Sequence, residues 1–375
     1  MTVDFTALAT PGVRALRPYV PGKPIEELER ELGISNSLKL ASNENPLGAS
    51  PQAMAAVKRA ADQLHLYPDD IGFRLRHRLA KQHGLAAEQL LLGAGSSDVI
   101  DMVVRSLLGP GRNAVFSQYA FAMYPIYTQA AGAEGRVAPA LPPDHAQMPY
   151  GHDLQAMADL VDANTRVLFI ANPNNPTGTW LGAEPLYGFI RSLPGDLVVV
   201  LDEAYIEYVE QPDFPDGRAW LAEFPNLIVT RTFSKIHGLA ALRVGYGMAS
   251  AELISLIGRV RHPFNVNSLA QVAAEAALED EGFVRQSLAS NSAGLAQLEQ
   301  GLTELGLGCI PSVGNFLSFD LQRPAAPIYQ ALLREGVILR PLAGYDMPRH
   351  LRVTVGTWQE NQRFLEALKR VLQAC

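Results

Sequence analysis

The segment from Asp196 to Tyr205 has the sequence DLVVVLDEAY, in which five apolar residues in succession are followed by two carboxylates and a tyrosine. An apolar run without polar alternation is typical of a strand covered on both faces, as in a mostly parallel sheet. Two similar runs end in the same way: VLFI (167–170) leads into ANPNNPTG (171–178), and LIVT (227–230) leads into RTFSK (231–235). Helical segments separate most of these strands, so an α/β fold is predicted.

Further patterns continue this alternation of helices and strands. The runs QLLLG (89–93) and NAVFSQ (113–118) predict strands, and AMAAVKRAADQL (53–64) has apolar residues at helical spacing. FRLRHRLAKQHG (73–84) has the same spacing, and Gly84 is expected to end that helix.

A chain of 375 residues is long for a single core, and its pattern changes near residue 262. A long helical stretch covers 268–305, and apolar segments then lead to a closing helix, which together predict a smaller α+β domain. The Pro- and Gly-rich start predicts an irregular arm that packs near this domain. The predicted regions are an arm (1–45), a large domain (46–262) and a small domain (263–375).

Composition excludes several classes of function. Hydrophobic residues make up 48% of the chain and charged residues 18%, which suits a well-buried enzyme. The formal net charge of -7 and pI near 5.7 disfavour nucleic-acid binding, which needs a basic face. There is no run of eighteen apolar residues and no continuous apolar segment at the N-terminus, so neither a membrane span nor a secretory signal is expected.

The two cysteines, Cys309 and Cys375, have no metal-ligand spacing and are too few to cross-link a chain of this size. Such usage is typical of a reducing compartment, so a cytoplasmic location is expected, with no metal site. Cys309 lies in an apolar run and is expected in the core, whereas Cys375 is terminal.

Each polar cluster has a simpler interpretation when taken alone. ANPNNPTG could be only a turn, Asp202 could be a helix cap, and Lys235 could be one of many solvated lysines. In open α/β sheets, however, ligands bind outside the carboxyl ends of the strands. If the three strands are parallel, all three clusters lie on one edge, which favours a shared functional role.

The groups in these clusters complement one another chemically. A partly desolvated lysine such as Lys235 has a lowered pKa and can form a Schiff base. A carboxylate such as Asp202, placed against a pyridine nitrogen, favours the protonated ring, which then withdraws electrons. Asn175 and Tyr205 could both contact a phenolic oxygen next to the aldehyde of such a cofactor.

Phosphate ligands are also predicted, from two segments. Thr232, Ser234 and Arg243 follow the third strand, and the planar fork of arginine suits a phosphate. QLLLGAGSSDVIDMVVRSLL predicts a strand, a Gly-rich turn and a helix. There the N–H groups of Gly95, Ser96 and Ser97, here called the phosphate cup, would face an anion at the helix N-terminus.

The same turn suggests a rival function, dinucleotide binding. The sequence GAGSSD (93–98) resembles the start of a GxGxxG fingerprint. Asp98 replaces the third glycine, and no acidic residue follows about twenty positions later, so a dehydrogenase is disfavoured.

With these motifs the chain resembles the fold-type I aminotransferases and, more narrowly, the class II histidinol-phosphate aminotransferases. The resemblance extends over nearly the whole length, from LRPYVPGKP to LRVTVGT. Its most specific parts are RTFSKIHGLAALRVGYG, and NPNNPTG followed by LDEAY. It implies a fold-type I structure with pyridoxal 5'-phosphate as cofactor.

The resemblance also implies roles for individual residues. Lys235 is the lysine that binds the cofactor and later moves the proton, and Asp202 pairs with the pyridinium nitrogen. Tyr205 and Asn175 bond the ring hydroxyl, and Phe121 stacks on the ring, although by itself a phenylalanine there would be taken as core. Tyr67 reaches the phosphate of the neighbouring subunit's cofactor, so a homodimer with shared active sites is implied.

Four further residues are implied to bind the substrate. Arg352 matches the arginine that binds the substrate carboxylate or phosphate, and Arg340 matches a second anion-binding arginine. An arginine that ends a strand is otherwise usually solvated. Tyr19 and Asn43 resemble residues of a lid that closes over the substrate and excludes water.

The implied reaction is a two-step ping-pong transfer between histidinol phosphate and 2-oxoglutarate, which yields imidazole-acetol phosphate and glutamate in histidine biosynthesis. An aromatic amino-acid aminotransferase remains an alternative, because an imidazole and a phenyl pocket differ little in shape. A threonine-phosphate decarboxylase is a further one, since it would keep Lys235, Asp202 and the anion-binding arginines. A regulator that uses the cofactor as a ligand would carry an added DNA-binding region, for which residues 1–45 are too short. The wall of the pocket departs from the family pattern at Ala120, Asp98 and Ala241. None of these departures removes a catalytic group, so they bear on which amino donor binds rather than on the reaction.

Overall fold

The computed structural model describes residues 3–374 of the chain. The strands are β1 (Leu38–Lys39), β2 (Leu90–Gly93), β3 (Asn113–Ser117), β4 (Glu134–Ala138), β5 (Thr165–Ala171), β6 (Val198–Asp202), β7 (Leu227–Thr232), β8 (Gly245–Met248), β9 (Gly308–Cys309), β10 (Phe316–Asp320), β11 (Val337–Ile338), β12 (Arg340–Pro341) and β13 (His350–Thr354). The α-helices are α1 (Phe5–Leu8), α2 (Pro11–Arg14), α3 (Ile25–Leu32), α4 (Pro51–Ala60), α5 (Phe73–His83), α6 (Ser96–Leu107), α7 (Met123–Ala130), α8 (Leu154–Asp159), α9 (Ala183–Ser192), α10 (Ala251–Ile257), α11 (Ser268–Ala277), α12 (Glu281–Glu304), α13 (Ala325–Arg334) and α14 (Trp358–Ala374).

The central sheet has seven strands in the order β2-β8-β7-β6-β5-β3-β4. The neighbouring strands β4, β3, β5, β6 and β7 pair in parallel in that order. Strand β8 is antiparallel to both of its neighbours, β7 and β2. The predicted mostly parallel sheet is therefore confirmed. Because β5, β6 and β7 are adjacent and parallel, their carboxyl ends lie side by side.

Alternate side chains of these three strands pack into two different cores. Leu168, Val199 and Val229 face one cluster, and Val167, Val200 and Ile228 face the other. All six are fully buried, and each such side chain contributes roughly 1.5–3 kcal/mol through burial. The sheet is therefore covered on both faces, as the uninterrupted apolar runs predicted.

The predicted helices form with recognisable end signals. Helix α4 starts at Pro51 and is capped by the Ser50 side chain, and α5 ends at Gly84, which has a φ of 67°. The helical stretch predicted at 268–305 consists of two helices. The break falls before Asp280, whose carboxylate accepts a hydrogen bond from the Phe283 N–H and so starts α12.

A second sheet, with the order β12-β13-β10-β9, is antiparallel. Helices α12 and α13 pack against it, and α14 shares its hydrophobic core. The antiparallel sheet and its helices have the α+β character expected of the C-terminal part, while the residue boundaries of the domains stay predictions. Cys309 lies in the edge strand β9 and is half-buried, so it is less enclosed than expected. Cys375 lies outside the described residues.

The prediction of an irregular arm over residues 1–45 is wrong in part. Residues 25–32 form the helix α3, which ends at Gly33 with a φ of 66°. The arm does join the second region, because β1 pairs in parallel with β11. Its first part instead contacts α7, since the Gln129 side chain donates to the Gly12 carbonyl.

Two general features follow from the part of the chain that the structure describes. No helix between residues 3 and 374 is both long and apolar enough to cross a membrane. Within the same range, no three His, Cys, Asp or Glu side chains are grouped so that they could hold a metal ion.

Candidate active site

A cavity of about 260 Å³ opens at the carboxyl ends of β5, β6 and β7. Most of the predicted site residues line it, namely Tyr19, Asn43, Ser96, Ser97, Phe121, Asn175, Asp202, Tyr205, Thr232, Ser234, Lys235, Arg243, Arg340 and Arg352. The sheet edge therefore brings together residues that are more than 300 positions apart in the sequence.

Lys235 projects into this cavity from the loop after β7. Removal from solvent lowers the pKa of Lys235 to about 8, and the nearby Arg352 guanidinium acts in the same direction. The Lys235 Nζ lies 3.3 Å from the Ser42 carbonyl oxygen and 3.4 Å from that of Asn43. These two carbonyls hold the amine, and its lowered pKa leaves a larger neutral, nucleophilic fraction near neutral pH than an exposed lysine has.

Asp202 is the last residue of β6, and its buried carboxylate is bonded on both oxygens. The Tyr124 hydroxyl donates to Oδ2 at 2.9 Å, and the Thr230 hydroxyl donates to Oδ1 at 3.0 Å. Burial raises the pKa of Asp202, and these two hydrogen bonds oppose that shift. Sequence reasoning missed both donors; Thr230 could have been found, because it lies two residues before Thr232 on the same face of β7.

Two separate groups of buried hydrogen bonds hold Tyr205 and Arg352. The Asn43 amide donates to the Tyr205 hydroxyl at 2.9 Å, and burial raises the pKa of Tyr205 to about 12, so the phenol stays protonated. The Arg352 guanidinium donates to the Asn175 side-chain oxygen and, at 2.8 Å, to the Ala41 carbonyl. Asn175, a predicted cofactor-binding residue, thus contacts Arg352, a predicted substrate-binding residue.

The phosphate cup lies opposite Arg243. Gly95 has a φ of 86°, and an added methyl group there would lie 2.5 Å from the Arg243 Nη2, so only glycine fits. The Arg243 Nη1 is 3.3 Å from the Ser234 hydroxyl, and the Thr232 hydroxyl donates to Ser234 at 3.0 Å. The Gly95 N–H is bonded to the Gly93 carbonyl at 2.7 Å, so the prediction that it faces the anion is wrong, and the Ser96 and Ser97 N–H groups at the start of α6 complete the anion-binding surface.

The arm lies along one side of the cavity, where it contacts Arg340 of β12. The Arg340 Nη1 donates to the Val20 carbonyl at 2.7 Å, and its guanidinium carbon lies 5.3 Å from the centre of the Tyr19 ring. Tyr345, which sequence reasoning missed, also lines this wall. No regular spacing could have revealed it, since it lies in a short 3₁₀ turn.

Among the predicted site residues that have a side chain, Tyr67 alone lies away from the cavity. It does not line the cavity, 82% of it is exposed, and its ring stacks on Phe264 at 4.7 Å. Phe121, in contrast, lies on the cavity wall with its ring 5.7 Å from Tyr124.

Comparison with known proteins identifies the family of the chain. The model of the family "Aminotransferase class I and II" matches residues 35–368. The chain belongs to this family. Among curated aminotransferases, it is 58% identical to histidinol-phosphate aminotransferase 2 of Pseudomonas fluorescens Pf0-1, with 99% of each chain covered. It is 57% identical to histidinol-phosphate aminotransferase 2 of Methylococcus capsulatus, over 99% of this chain and 100% of that one.

Solved aminotransferase structures have the same fold. The crystal structure of histidinol-phosphate aminotransferase from Sinorhizobium meliloti, in complex with pyridoxal-5'-phosphate, matches with a TM-score of 0.87. The two proteins are 26% identical, and 97% of each chain is covered. The aminotransferase described here therefore has the fold-type I architecture.

The groups in the cavity fit pyridoxal phosphate. A buried carboxylate can face a ring nitrogen, an amine of lowered pKa can face an aldehyde, and a helix N-terminus with an arginine can face a phosphate. Among residues 3–374, moreover, the buried Arg352 Nε finds no hydrogen-bond partner, so the guanidinium keeps a free donor for an anion.

Proposed function

We propose that this chain is a pyridoxal-phosphate-dependent aminotransferase of histidine biosynthesis, which transfers an amino group between histidinol phosphate and 2-oxoglutarate. The products are imidazole-acetol phosphate and glutamate, and the reaction takes place in the cytoplasm. The proposal depends above all on the 58% identity, over nearly the full length, to an enzyme of that name. The placement of Lys235 and Asp202 in one cavity supports it.

Pyridoxal phosphate, when bound, supplies an aldehyde that condenses with amines and a ring that withdraws electrons. The phosphate cup, Thr232, Ser234 and Arg243 would hold its phosphate. Asp202 would hold the ring nitrogen, and Phe121 would stack on the ring. Asn175 and Tyr205 would bond the ring hydroxyl.

Lys235 moves the proton in each half-reaction. Its pKa of about 8 lies close to physiological pH, so the amine can both accept and release a proton. The Ser42 and Asn43 carbonyls, which accept from Nζ, orient it within the cavity. Lys235 is therefore the general base and acid of the proposed mechanism.

Arg352 and Arg340 bind the anionic parts of the substrates. Arg352 is buried and held by Asn175 and Ala41, so its fork has a fixed direction that suits a carboxylate or a phosphate. Arg340 is bonded to the arm through Val20. Binding of an anion to Arg340 would draw in Tyr19 and close the arm over the substrate, which excludes water.

The functional unit proposed is a homodimer in which Tyr67 reaches the cofactor phosphate of the partner subunit. In support, the segment around Tyr67 exposes the large apolar side chains of Leu64, Leu66, Ile71 and Phe73, and the exposed Phe264 stacks on the Tyr67 ring. Such a concentration of apolar side chains marks a protein interface. A second copy of the chain would cover it.

A panel of amino donors tests the proposed substrate. With 2-oxoglutarate as acceptor, we expect kcat/KM to be highest for histidinol phosphate, compared with phenylalanine, tyrosine and aspartate. A kcat/KM for phenylalanine about tenfold above that for histidinol phosphate, ~1.4 kcal/mol, would assign the chain to aromatic transamination instead. Lys235→Ala is the control for the chemistry and should be inactive, because it lacks the amine that forms the Schiff base.

A further inference from the structure

The phosphate cup is packed so closely that small displacements would matter. A methyl group on Gly245 would lie 2.4 Å from the Ser96 nitrogen, and one on Gly93 would lie 2.8 Å from the Gly95 carbonyl oxygen. The cup therefore sits directly on the backbone of β2 and β8. Contacts that fix the backbone of the cup therefore also fix the direction of its N–H groups.

Asp98, in the first turn of α6, links the cup to the sheet. Its Oδ2 accepts hydrogen bonds from the Ala94 N–H at 2.8 Å and from the Asn265 Nδ2 at 2.7 Å. Because Ala94 directly precedes Gly95, this carboxylate ties the start of the turn to the helix. A carboxylate so close to an anion site would also repel a bound phosphate unless it were held away from it.

The hydrogen bonds of the Asn265 amide leave only one orientation. Its Nδ2 donates to Asp98 and, at 3.2 Å, to the Leu92 carbonyl, while its Oδ1 accepts from the Arg261 guanidinium at 3.2 Å. Arg261 is in turn paired with Asp70. A reversed amide would face two acceptors with its oxygen and a guanidinium with its NH₂ group.

We propose that Asn265 is a positioning residue for the cofactor phosphate, acting through Asp98. The amide holds the Asp98 carboxylate against Ala94 and β2, which shapes the cup and keeps the negative charge turned away from the phosphate. Asn265 does not line the cavity, and it comes from the loop before α11, 167 residues after Asp98. The inference rests on the proposed function, since it concerns the phosphate of the same cofactor.

Binding of two probes, inorganic phosphate and pyridoxal phosphate, to the full-length cofactor-free protein tests this role by calorimetry. For Asn265→Ala we expect the Kd of both probes to rise about tenfold, the loss expected for a hydrogen bond to a charged group. Asn265→Asp should raise it further, because a second carboxylate would face Asp98. Combining Asn265→Asp with Asp98→Asn restores a donor–acceptor pair and should recover part of the affinity.

The matched control is Asn226→Ala, which removes another side-chain amide, bonded to the Leu197 carbonyl and remote from the cavity. It should bind both probes as the wild type does. Unchanged Kd values for Asn265→Ala would overturn the inference. So would an absence of recovery in the double variant, which decides the matter if Asn265→Ala does not fold. Failure of the wild type to bind pyridoxal phosphate would overturn the proposed function itself.

Discussion

Lys235 and Asp202 are both withdrawn from solvent, but burial shifts their pKa values in opposite directions. It lowers the pKa of Lys235 to about 8 and raises that of Asp202, because in each case the charged form loses hydration. For the amine this favours the reactive neutral state. The carboxylate, in contrast, depends on the donors Tyr124 and Thr230 to remain ionised.

The lowered pKa of Lys235 predicts the pH dependence of cofactor uptake. We expect the rate at which cofactor-free protein takes up pyridoxal phosphate to rise with pH through a midpoint of about 8, since only the neutral amine attacks an aldehyde. Arg352→Leu removes a positive charge that lowers this pKa, so the midpoint should move upwards. Rapid-mixing absorbance measurements across the pH range provide the test.

Arg340→Leu is the control for that experiment, because Arg340 is not among the charges that shift the pKa of Lys235. Its midpoint should match that of the wild type. A wild-type midpoint near 10.5, the ordinary value for lysine, would contradict the prediction.

Tyr124→Phe tests the support of Asp202. The change keeps the ring that stacks on Phe169 at 4.6 Å but removes the hydroxyl that donates to the carboxylate. A lost hydrogen bond to a charged group corresponds to roughly 1.5–3 kcal/mol, so the Kd for pyridoxal phosphate should rise at least about tenfold. Tyr127→Phe, one turn further along α7, should leave the Kd unchanged. Equal Kd values in the two variants would count against a role of Tyr124.

At the scale of the elements, successive side chains at the ends of β6 and β7 point to opposite faces of the sheet. One face carries cavity residues, and the other carries a buried ion pair. Asp202 and Thr230 face the same side of the sheet, whereas Glu203 and Arg231 face the other. There the Arg231 guanidinium donates twice to the Glu203 Oε2, at 2.9 Å from Nε and 2.7 Å from Nη2. This buried ion pair joins β6 and β7 next to Asp202 and Thr232, so it fixes the relative positions of the two strand ends.

Breaking this pair is expected to be costly for stability. Glu203→Gln removes the buried counter-charge of Arg231, which keeps a second pair with Asp216 at 2.6 Å. Loss of one partner of a buried pair destabilises by about 3–5 kcal/mol when nothing else compensates the charge, so with Asp216 in place we expect a loss of more than about 1 kcal/mol but below that range. Denaturant unfolding of the holoenzyme measures the loss. Arg74→Ala, which breaks an exposed pair with Glu275, should cost less than about 1 kcal/mol. A similar loss in both variants would argue against the special position of the buried pair.

At the scale of the whole molecule, the cavity is assembled from distant parts of the chain. The arm contributes Tyr19 and Asn43. Strand β6 contributes Asp202, the loop after β7 contributes Lys235, and β13 contributes Arg352. The Asn43 backbone N–H donates to the Thr354 hydroxyl at 2.9 Å, which attaches the arm to β13. The partner subunit is proposed to supply Tyr67.

Subunit complementation tests this last contribution. Homodimers of Tyr67→Ala lack the tyrosine, and those of Lys235→Ala lack the lysine, so we expect weak or no transamination from each. Refolding the two together should form mixed dimers with one complete site, whose activity exceeds the average of the parents. Activity equal to that average would show that Tyr67 does not act across the interface.

The sequence by itself determined the fold class and most of the candidate site. The apolar runs at 167–170, 197–201 and 227–230 favour burial on both faces, which a parallel sheet covered by helices provides. Once the strands are parallel, the residues that follow them must share one edge, and so Asp202 and Lys235 could be placed together.

Only the tertiary structure decided which groups surround those residues. Tyr124 lies on α7 and Asn265 on the loop before α11, and neither bears a local signal of its contact with Asp202 or Asp98. Likewise, the helix α3 and the contact of Gly12 with Gln129 revise the irregular arm. Hydrogen bonds between remote segments depend on how elements pack, whereas hydrophobic periodicity records only how each element is buried.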